Sequence, residues 1–322
     1  MMEHSLTSIL IPVYNRENFV GECIKSALAQ TYTNLEVVVV DNASTDRTWE
    51  ICQQFAEKDR RVRVFRNDTN IGPVRNWLAC LAQARGEYGK ILFSDDLMSP
   101  QFLECTLPYL EDGKVAFVAT AATIGESPAG GMVHPAHPGN EKRLSIKRYF
   151  KLLIAGEVHY SPGAAVFRMK DIRENLRVSV PAKIPHDFSA NGAGPDVMLY
   201  ALTALSYQQV VLLPQPLVFF RAHPGSFTML NEENQVANGY RAAIAWFCKS
   251  NLSRSFWAKY VARLWWVDAK RTRRWVPMRK HTLSYEGAGK FGEIVAVFMA
   301  AIVVVMLDLL RIFLALLKKV RN

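Results

Sequence analysis

A doubly wound α/β sheet with an appended C-terminal segment is the fold this sequence predicts. Three observations predict it. Short apolar or β-branched runs recur through the first part of the chain. Between them the apolar residues switch to helical spacing. Polar residues gather where the runs end. The chain has 322 residues, 50% of them hydrophobic. That is ample for one α/β domain with a sizeable core and an appendage.

The first runs are Thr7–Val13, Leu35–Asp41, Val62–Arg66 and residues 90–94. Such runs suit strands of a parallel sheet covered on both faces. Val20, Cys23, Ile24, Ala27 and Leu28 follow the spacing i, i+3, i+4, i+7, i+8. Thr48, Ile51, Cys52 and Phe55 repeat it, as do Val74, Trp77, Leu78 and Leu81. Each set makes an amphipathic helix with one face on the sheet. Ser44 is expected to cap the second helix, with Asp46 in its first turn. Strand–helix–strand alternation implies right-handed crossovers. Past Asp96 the rhythm loosens. Residues 115–121, 164–168, 208–213 and 217–221 read as strands, and 144–155 and 196–207 as helices. Residues 125–140, rich in Gly, Pro and His, read as loop.

Five scattered cysteines with no Cys-x-x-Cys argue for a reducing compartment, and against a disulfide framework or zinc ribbon. The first residues carry no apolar core of a signal peptide, so none is expected. The net charge of +10 is uneven. Lys249 to His281 holds ten Lys/Arg and one acid, Asp268, so basicity belongs to a C-terminal stretch.

In open α/β sheets, ligands bind outside the carboxyl ends of the strands. The polar residues at those ends are Pro12 to Asn15, Asp41 and Asn42, Asn70 to Gly72, and Ser94 to Asp96. The last group poses a question of charge. Two adjacent carboxylates after a buried strand repel each other, and desolvation disfavours both ionised forms. A positive species is needed to make the pair worth keeping.

The ordered set "PVYN", "VVVVDNASTD", "NIG" and "FSDD" resembles the nucleotide-binding half of family-2 glycosyltransferases with a GT-A fold, a Rossmann-like nucleotide-binding domain. "PD" at Pro195 and Asp196, and "FRAHPGSFT" from Phe220, resemble that family's acceptor-side elements. The resemblance covers roughly residues 6–228. It implies that Asp95, Asp96 or both bind Mg²⁺ or Mn²⁺ together with the diphosphate. A hard cation takes carboxylate and phosphate oxygens together, and would offset the repulsion. Many relatives carry a further Asp where this chain has Phe93. The resemblance further implies that Asp41 accepts from the base or ribose. Pro12, Tyr14, Asn15 and Ser94 would line the nucleotide site, with Tyr14 against the base and Asn15 shaping the turn. Arg75 would face the diphosphate from a helix start, where guanidinium and helix N-terminus both favour anions. His223 would complete the metal shell or bind phosphate, and Asp196 would be the general base. Pro195 replaces the acid that usually precedes this aspartate.

The tail extends this picture. Trp257, Trp265, Trp266 and Trp275 lie in the basic stretch, a pattern suited to an interfacial helix on anionic lipid. The competing nucleic-acid reading is disfavoured because an apolar segment, residues 294–317, follows. That segment is long enough to span a bilayer, to lie in it, or to serve as a partner helix in a homo-oligomer. Asp308 and Arg311 would be costly in the hydrocarbon. The expected organisation is a transferase domain over 1–230, a basic Trp-rich helical extension over 231–290, and an apolar membrane-associated segment over 291–322. The expected activity is metal-dependent, inverting transfer from a nucleotide-sugar donor to a membrane-bound saccharide at the cytoplasmic face of a bacterial inner membrane. The rivals are a polyprenyl-phosphate glycosyltransferase and a catalytically inactive nucleotide-sugar-binding membrane protein.

Overall fold

The computed structural model describes residues 5–182, 186–225, 233–272 and 295–308. It divides into two compact units, residues Met1–Ser179 with Asp187–Val236, and residues Val180–His186 with Ala237–Asn322. The domain boundaries expected at 230/231 and 290/291 lie outside the described residues.

The first unit is built on one mixed sheet of order β3-β2-β1-β4-β9-β6-β10-β5, with β7 on β6 and β8 on β10. Strands β1 (Thr7–Val13), β2 (Leu35–Asp41) and β3 (Val62–Arg66) have the expected bounds. They run parallel, and β1 also pairs in parallel with β4 (Tyr88–Ile91). All seven residues of β1 and all seven of β2 are buried, as strands covered on both faces require. Helices α1 (Val20–Leu28), α2 (Thr48–Lys58) and α3 (Pro73–Gln83) supply that cover. Val20, Cys23, Ile24 and Ala27 of α1 are buried, and Val74, Trp77, Cys80 and Leu81 of α3 likewise.

Several expectations need correction. Strand β4 ends at Ile91 because the chain turns at Phe93, where the Asp96 N–H donates to the Phe93 carbonyl at 3.0 Å. Ser44 does not cap α2. Its hydroxyl accepts from the Asn15 N–H at 2.9 Å, and Asp46 accepts from the Thr48 N–H at 3.0 Å instead. The sheet is not wholly parallel. Strand β9 (Ala165–Arg168) runs antiparallel between β4 and β6 (Val115–Gly125). The expected loop 125–140 contains a short strand, β7 (Met132–His134). The two strands expected around Pro214 and Pro216 are one, β10 (Gln209–Arg221), with register shifts at Leu213/Pro216 and Pro216/Val218. Bulges let a strand carry prolines, which cannot donate to a ladder. Two short antiparallel partners, β5 (Leu97–Met98) and β8 (Arg143–Ser145), line the other side of β10.

Beyond β4 the core is aromatic. Phe117 of β6 and Phe167 of β9 pack edge-on or tilted with Tyr149 of α5 (Ile146–Ala155) and Tyr200 of α8 (Pro195–Leu205), at centroid distances of 4.8 to 5.5 Å. Full burial of each such side chain is worth about 1.5–3 kcal/mol. Two short helices, α6 (Met169–Asn175) and α7 (Phe188–Asn191), precede α8.

An asparagine network joins the ends of β2 and β3 to the start of α3. Asn42 donates to Asn70 at 2.8 Å and accepts from Asn67 at 2.9 Å. Asn67 also donates to Asn76 at 2.9 Å, and Asn76 donates to the Val40 carbonyl at 2.9 Å. Asn76 is buried, so Asn76→Ala removes one hydrogen bond each from the Val40 carbonyl and from Asn67. We expect a loss of about 1–3 kcal/mol in urea unfolding; an unchanged midpoint would mean that water replaces the side chain.

Candidate active site

Chain order turns back between β1 and β4. The crossovers β1–β2–β3 build one way, and β4 lies on the other side of β1. This switch point opens a crevice outside the carboxyl ends of β1, β2 and β4. The residues that follow those strands are Tyr14 to Arg16, Asn42 to Ser44, and Leu92 to Asp96.

Pro12 is buried within β1, paired with Val40. Tyr14 is 40% exposed, free to meet a ligand. Asn15 adopts a left-handed backbone (φ 50), and its side-chain oxygen accepts from the Thr45 N–H at 2.8 Å. It therefore shapes the turn that locks the β1 end to the β2 end. Asp41 is fully buried. Its Oδ2 faces Arg66 Nε at 3.1 Å and accepts from the Ser44 N–H at 3.1 Å. Its Oδ1 is buried with no hydrogen-bond partner. A buried acceptor left unpaired costs about 1–3 kcal/mol, a cost that a donor reaching this oxygen would remove.

Asp95 and Asp96, either or both of which were expected to meet a cation, have different partners. Asp95 Oδ2 meets His223 Nε2 at 3.1 Å and Arg16 Nε at 3.3 Å. Asp96 Oδ1 accepts from the Arg221 N–H at 3.0 Å. Burial, and then the charge of Asp95, push the Asp96 carboxyl well above the usual carboxylate range. Beneath it lies Lys90, fully buried, its ammonium donating to the Gly163 carbonyl and to that of Ile91 at 3.1 Å. Burial lowers its pKa to about 7, against the upward pull of Asp96. Ser94 is buried within the turn.

Arg16 and Lys90 lie outside the motifs, and Arg221, inside the last of them, was given no role there. Arg16 also donates to the carbonyls of Asn15 at 3.0 Å and Gly225 at 3.1 Å, so its guanidinium is fixed. Arg221 bonds the Asp95 carbonyl at 3.1 Å and Glu22 at 2.7 Å, with its guanidinium over Phe19. Arg16 follows Asn15 directly and Arg221 ends β10, so position at a turn or strand end was the available signal.

Asp196 opens α8, 6% exposed, its Oδ1 accepting from the N–H groups of Gly194 at 3.0 Å and Val197 at 2.6 Å. One turn on, Tyr200 donates to the Ser161 carbonyl at 2.6 Å and fixes the helix. Gly192 precedes it in a left-handed conformation (φ 70), where a Cβ would stand 2.5 Å from the Trp77 ring. Trp77 in turn packs on Phe93 at 5.4 Å, linking this segment to the Asp95 turn. Arg75 is exposed and donates to Ser189 Oγ at 3.2 Å. Asp187 caps α7 through the Ser189 N–H at 2.9 Å. Hydrogen bonds from Ser189, aided by Arg75, hold its carboxyl below the usual range.

Among the described residues no three His, Cys, Asp or Glu side chains form a metal cage. Asp95 and His223 together still offer an oxygen and a nitrogen at one point. Mg²⁺ and Mn²⁺ are commonly held by one or two side chains plus substrate phosphates, so the pair fits a cation shared with a diphosphate. Asp96 gives one oxygen, Oδ1, to the Arg221 backbone.

Asp96→Asn keeps an acceptor for the Arg221 N–H and removes the repulsion with Asp95. We expect the melting temperature of the ligand-free protein to rise by about 2–4 °C. A fall of similar size would show that Asp96 is ionised and held by its surrounding cations.

Comparison with known proteins agrees with this geometry. Residues 8–176 match the family described as Glycosyl transferase family 2. The chain is 37% identical over 99 residues to the glycosyltransferase GlyG of Streptococcus pneumoniae, a match covering 31% of this chain and 33% of that one. It is 38% identical over 109 residues to an uncharacterized glycosyltransferase of Haemophilus influenzae, covering 34% and 44%. The matched stretch thus spans a third to under half of these relatives. The fold resembles that of S. aureus TarS 1–349 in complex with UDP-GlcNAc, with a TM-score of 0.63 and 16% identity, over 92% of this chain and 79% of that one. With a mixed sheet of this topology and a family match over more than half its length, the chain belongs to glycosyl transferase family 2.

Proposed function

We propose that the protein transfers a sugar from a nucleotide-sugar donor to a hydroxyl of a membrane-bound saccharide, carried on polyprenyl diphosphate, with inversion at the anomeric carbon. The observation that carries the reading is the unpartnered Oδ1 of Asp41, buried at the end of β2 beside the switch point. A base N–H or a ribose hydroxyl would satisfy it. Tyr14, exposed at the end of β1, would lie against the base. The family match, and the binding of UDP-GlcNAc by the structural neighbour TarS, support a nucleotide-sugar donor.

The diphosphate would then lie toward Asp95, His223 and Arg16. Arg16 brings a fixed positive charge to the developing leaving group, a contribution worth most where water is excluded. A divalent cation, Mn²⁺ or Mg²⁺, held by Asp95 and His223 would supply further neutralisation of the leaving diphosphate. Asp196 would take the proton from the acceptor hydroxyl. The hydroxyl oxygen forms the new bond to the anomeric carbon from the face opposite the departing diphosphate, so the configuration inverts. Two backbone N–H groups on Oδ1 fix the orientation of this carboxylate. The basic C-terminal stretch favours an acceptor at the cytoplasmic face of a membrane.

Transfer should vanish in EDTA and return with Mn²⁺ or Mg²⁺; full activity in EDTA would remove the cation from the reading. Asp196→Asn should lower the transfer rate about 10²–10⁴-fold with donor affinity little changed. Near-normal turnover in Asp196→Asn, with loss in Asp187→Asn, would move the base to Asp187. Turnover surviving both substitutions with a lipid phosphate as acceptor would favour the polyprenyl-phosphate reaction, whose nucleophile needs no strong base. Absence of transfer to any acceptor, with donor still bound, would favour the inactive binding protein.

A further inference from the structure

The second unit carries a surface that the transfer reaction does not use. Residues 295–308 are helical. Val295, Phe298, Met299, Ile302, Val303 and Met306 fall at i, i+3, i+4, i+7, i+8 and i+11, on one side of that helix. All six are exposed, Phe298 by 55%, Met299 by 60% and Met306 by 64%. A contiguous apolar stripe of this kind marks an interaction surface. The opposite side is packed, with Val297 and Ala301 buried. Asp308 accepts from Lys270 Nζ at 2.7 Å and Trp266 Nε1 at 3.0 Å. The acid that would be costly against hydrocarbon is therefore paired on the protein side.

The same unit corrects the expectation for the tryptophans. Trp257 and Trp265 are buried in helix Arg254–Thr272, and Trp266 bonds Asp308, so these indoles do not form an outward belt. Trp275 lies outside the described residues. The outward apolar groups belong to the later helix instead.

We propose that this exposed face of helix 295–308 rests in the headgroup layer of an anionic bilayer, holding the chain on the membrane surface. Charge selects the occupant. Arg254, Lys259, Lys270 and Arg271 are exposed on the preceding helix, within the stretch from Lys249 to His281 that carries ten Lys/Arg and one acid. A second copy would bring like charge against like, whereas anionic lipid complements it. The sequence continues apolar from Leu309 to Leu317 and ends with Lys318, Lys319 and Arg321, the same pairing of apolar and basic character. Among the described residues no helix is long and apolar enough to cross a membrane. Lying along the surface is the arrangement that buries the stripe while leaving the basic residues in water. The proposal deepens the reading of a membrane-borne acceptor, and its test needs neither donor nor acceptor.

The full chain is synthesised in the presence of vesicles and floated on a density gradient. Wild type should float with vesicles containing phosphatidylglycerol and much less with pure phosphatidylcholine. Phe298→Ser with Met299→Ser and Met306→Ser should weaken flotation at least tenfold, without a change in circular dichroism, because these side chains are already exposed. Arg254→Gln with Lys259→Gln and Arg271→Gln should weaken flotation on anionic vesicles alone, and salt should do the same to wild type. Equal flotation of the apolar variant would overturn the proposal. So would a wild type that ignores vesicles but sediments as a dimer that the apolar variant converts to monomer. That outcome would assign the face to a second copy.

Discussion

Carboxylates gathered at the ends of β2 and β4 set the terms for the rest of the first unit. Asp41 and Asp96 are buried, and Asp95 is nearly so. Ionised carboxylates out of water are strongly disfavoured unless cations and hydrogen bonds compensate them. Arg66 meets Asp41, Arg16 meets Asp95, and the Arg221 backbone and Lys90 attend Asp96. These partners come from distant parts of the chain. The fold must bring the β1 turn, the β3 end, β4 and the end of β10 to one place before the acids can be held. Compensation remains incomplete where a ligand would enter, at Asp41 Oδ1. The raised pKa of Asp96, from burial and then the charge of Asp95, is the same tension. Sites of this kind trade stability for a prepared response to ligand.

The scaffold answers that demand with rigidity around the crevice. The asparagine network fixes the β2 and β3 ends to α3. The Asn15–Thr45 and Asn15–Ser44 bonds lock two turns together. Trp77 touches both Phe93 and the glycine turn before Asp196, so the two sides of the crevice share one packed ring. Only Gly at 192 permits that approach, because its backbone is left-handed and a Cβ would meet the indole. The aromatic group of Phe117, Phe167, Tyr149 and Tyr200 holds α8 from below.

The first half of the sheet was legible in the sequence because its signals are local. Strands β1, β2 and β3 are continuous apolar runs with both faces covered, and α1 to α3 keep a clean helical period. Asp41, Asp95 and Asp196 stand at element ends that period and turn residues disclose. What the sequence hid depends on distance along the chain. Nothing near Asp96 announces that the Arg221 backbone, 125 residues on, will take its oxygen. Lys90 sits in a strand-like run and gives no hint that its ammonium will be buried against Gly163. The antiparallel insertion of β9 breaks the parallel order through long-range pairing that local pattern cannot encode. In the second unit, composition correctly signalled apolar and basic character. It misassigned the outward face, because Trp257 and Trp265 fill the interior there while Phe298 and Met299 point out.

The central claim is that the buried carboxylate at the end of β2 is kept for a nucleotide. Isothermal titration of the protein with a panel of nucleoside diphosphates, repeated with Asp41→Asn, tests it most directly. The account predicts that at least one nucleoside diphosphate binds, and that Asp41→Asn weakens it about tenfold or more, some 1.4 kcal/mol, while leaving the protein folded. Binding of equal strength to wild type and Asp41→Asn, or no binding of any nucleoside diphosphate, would contradict it.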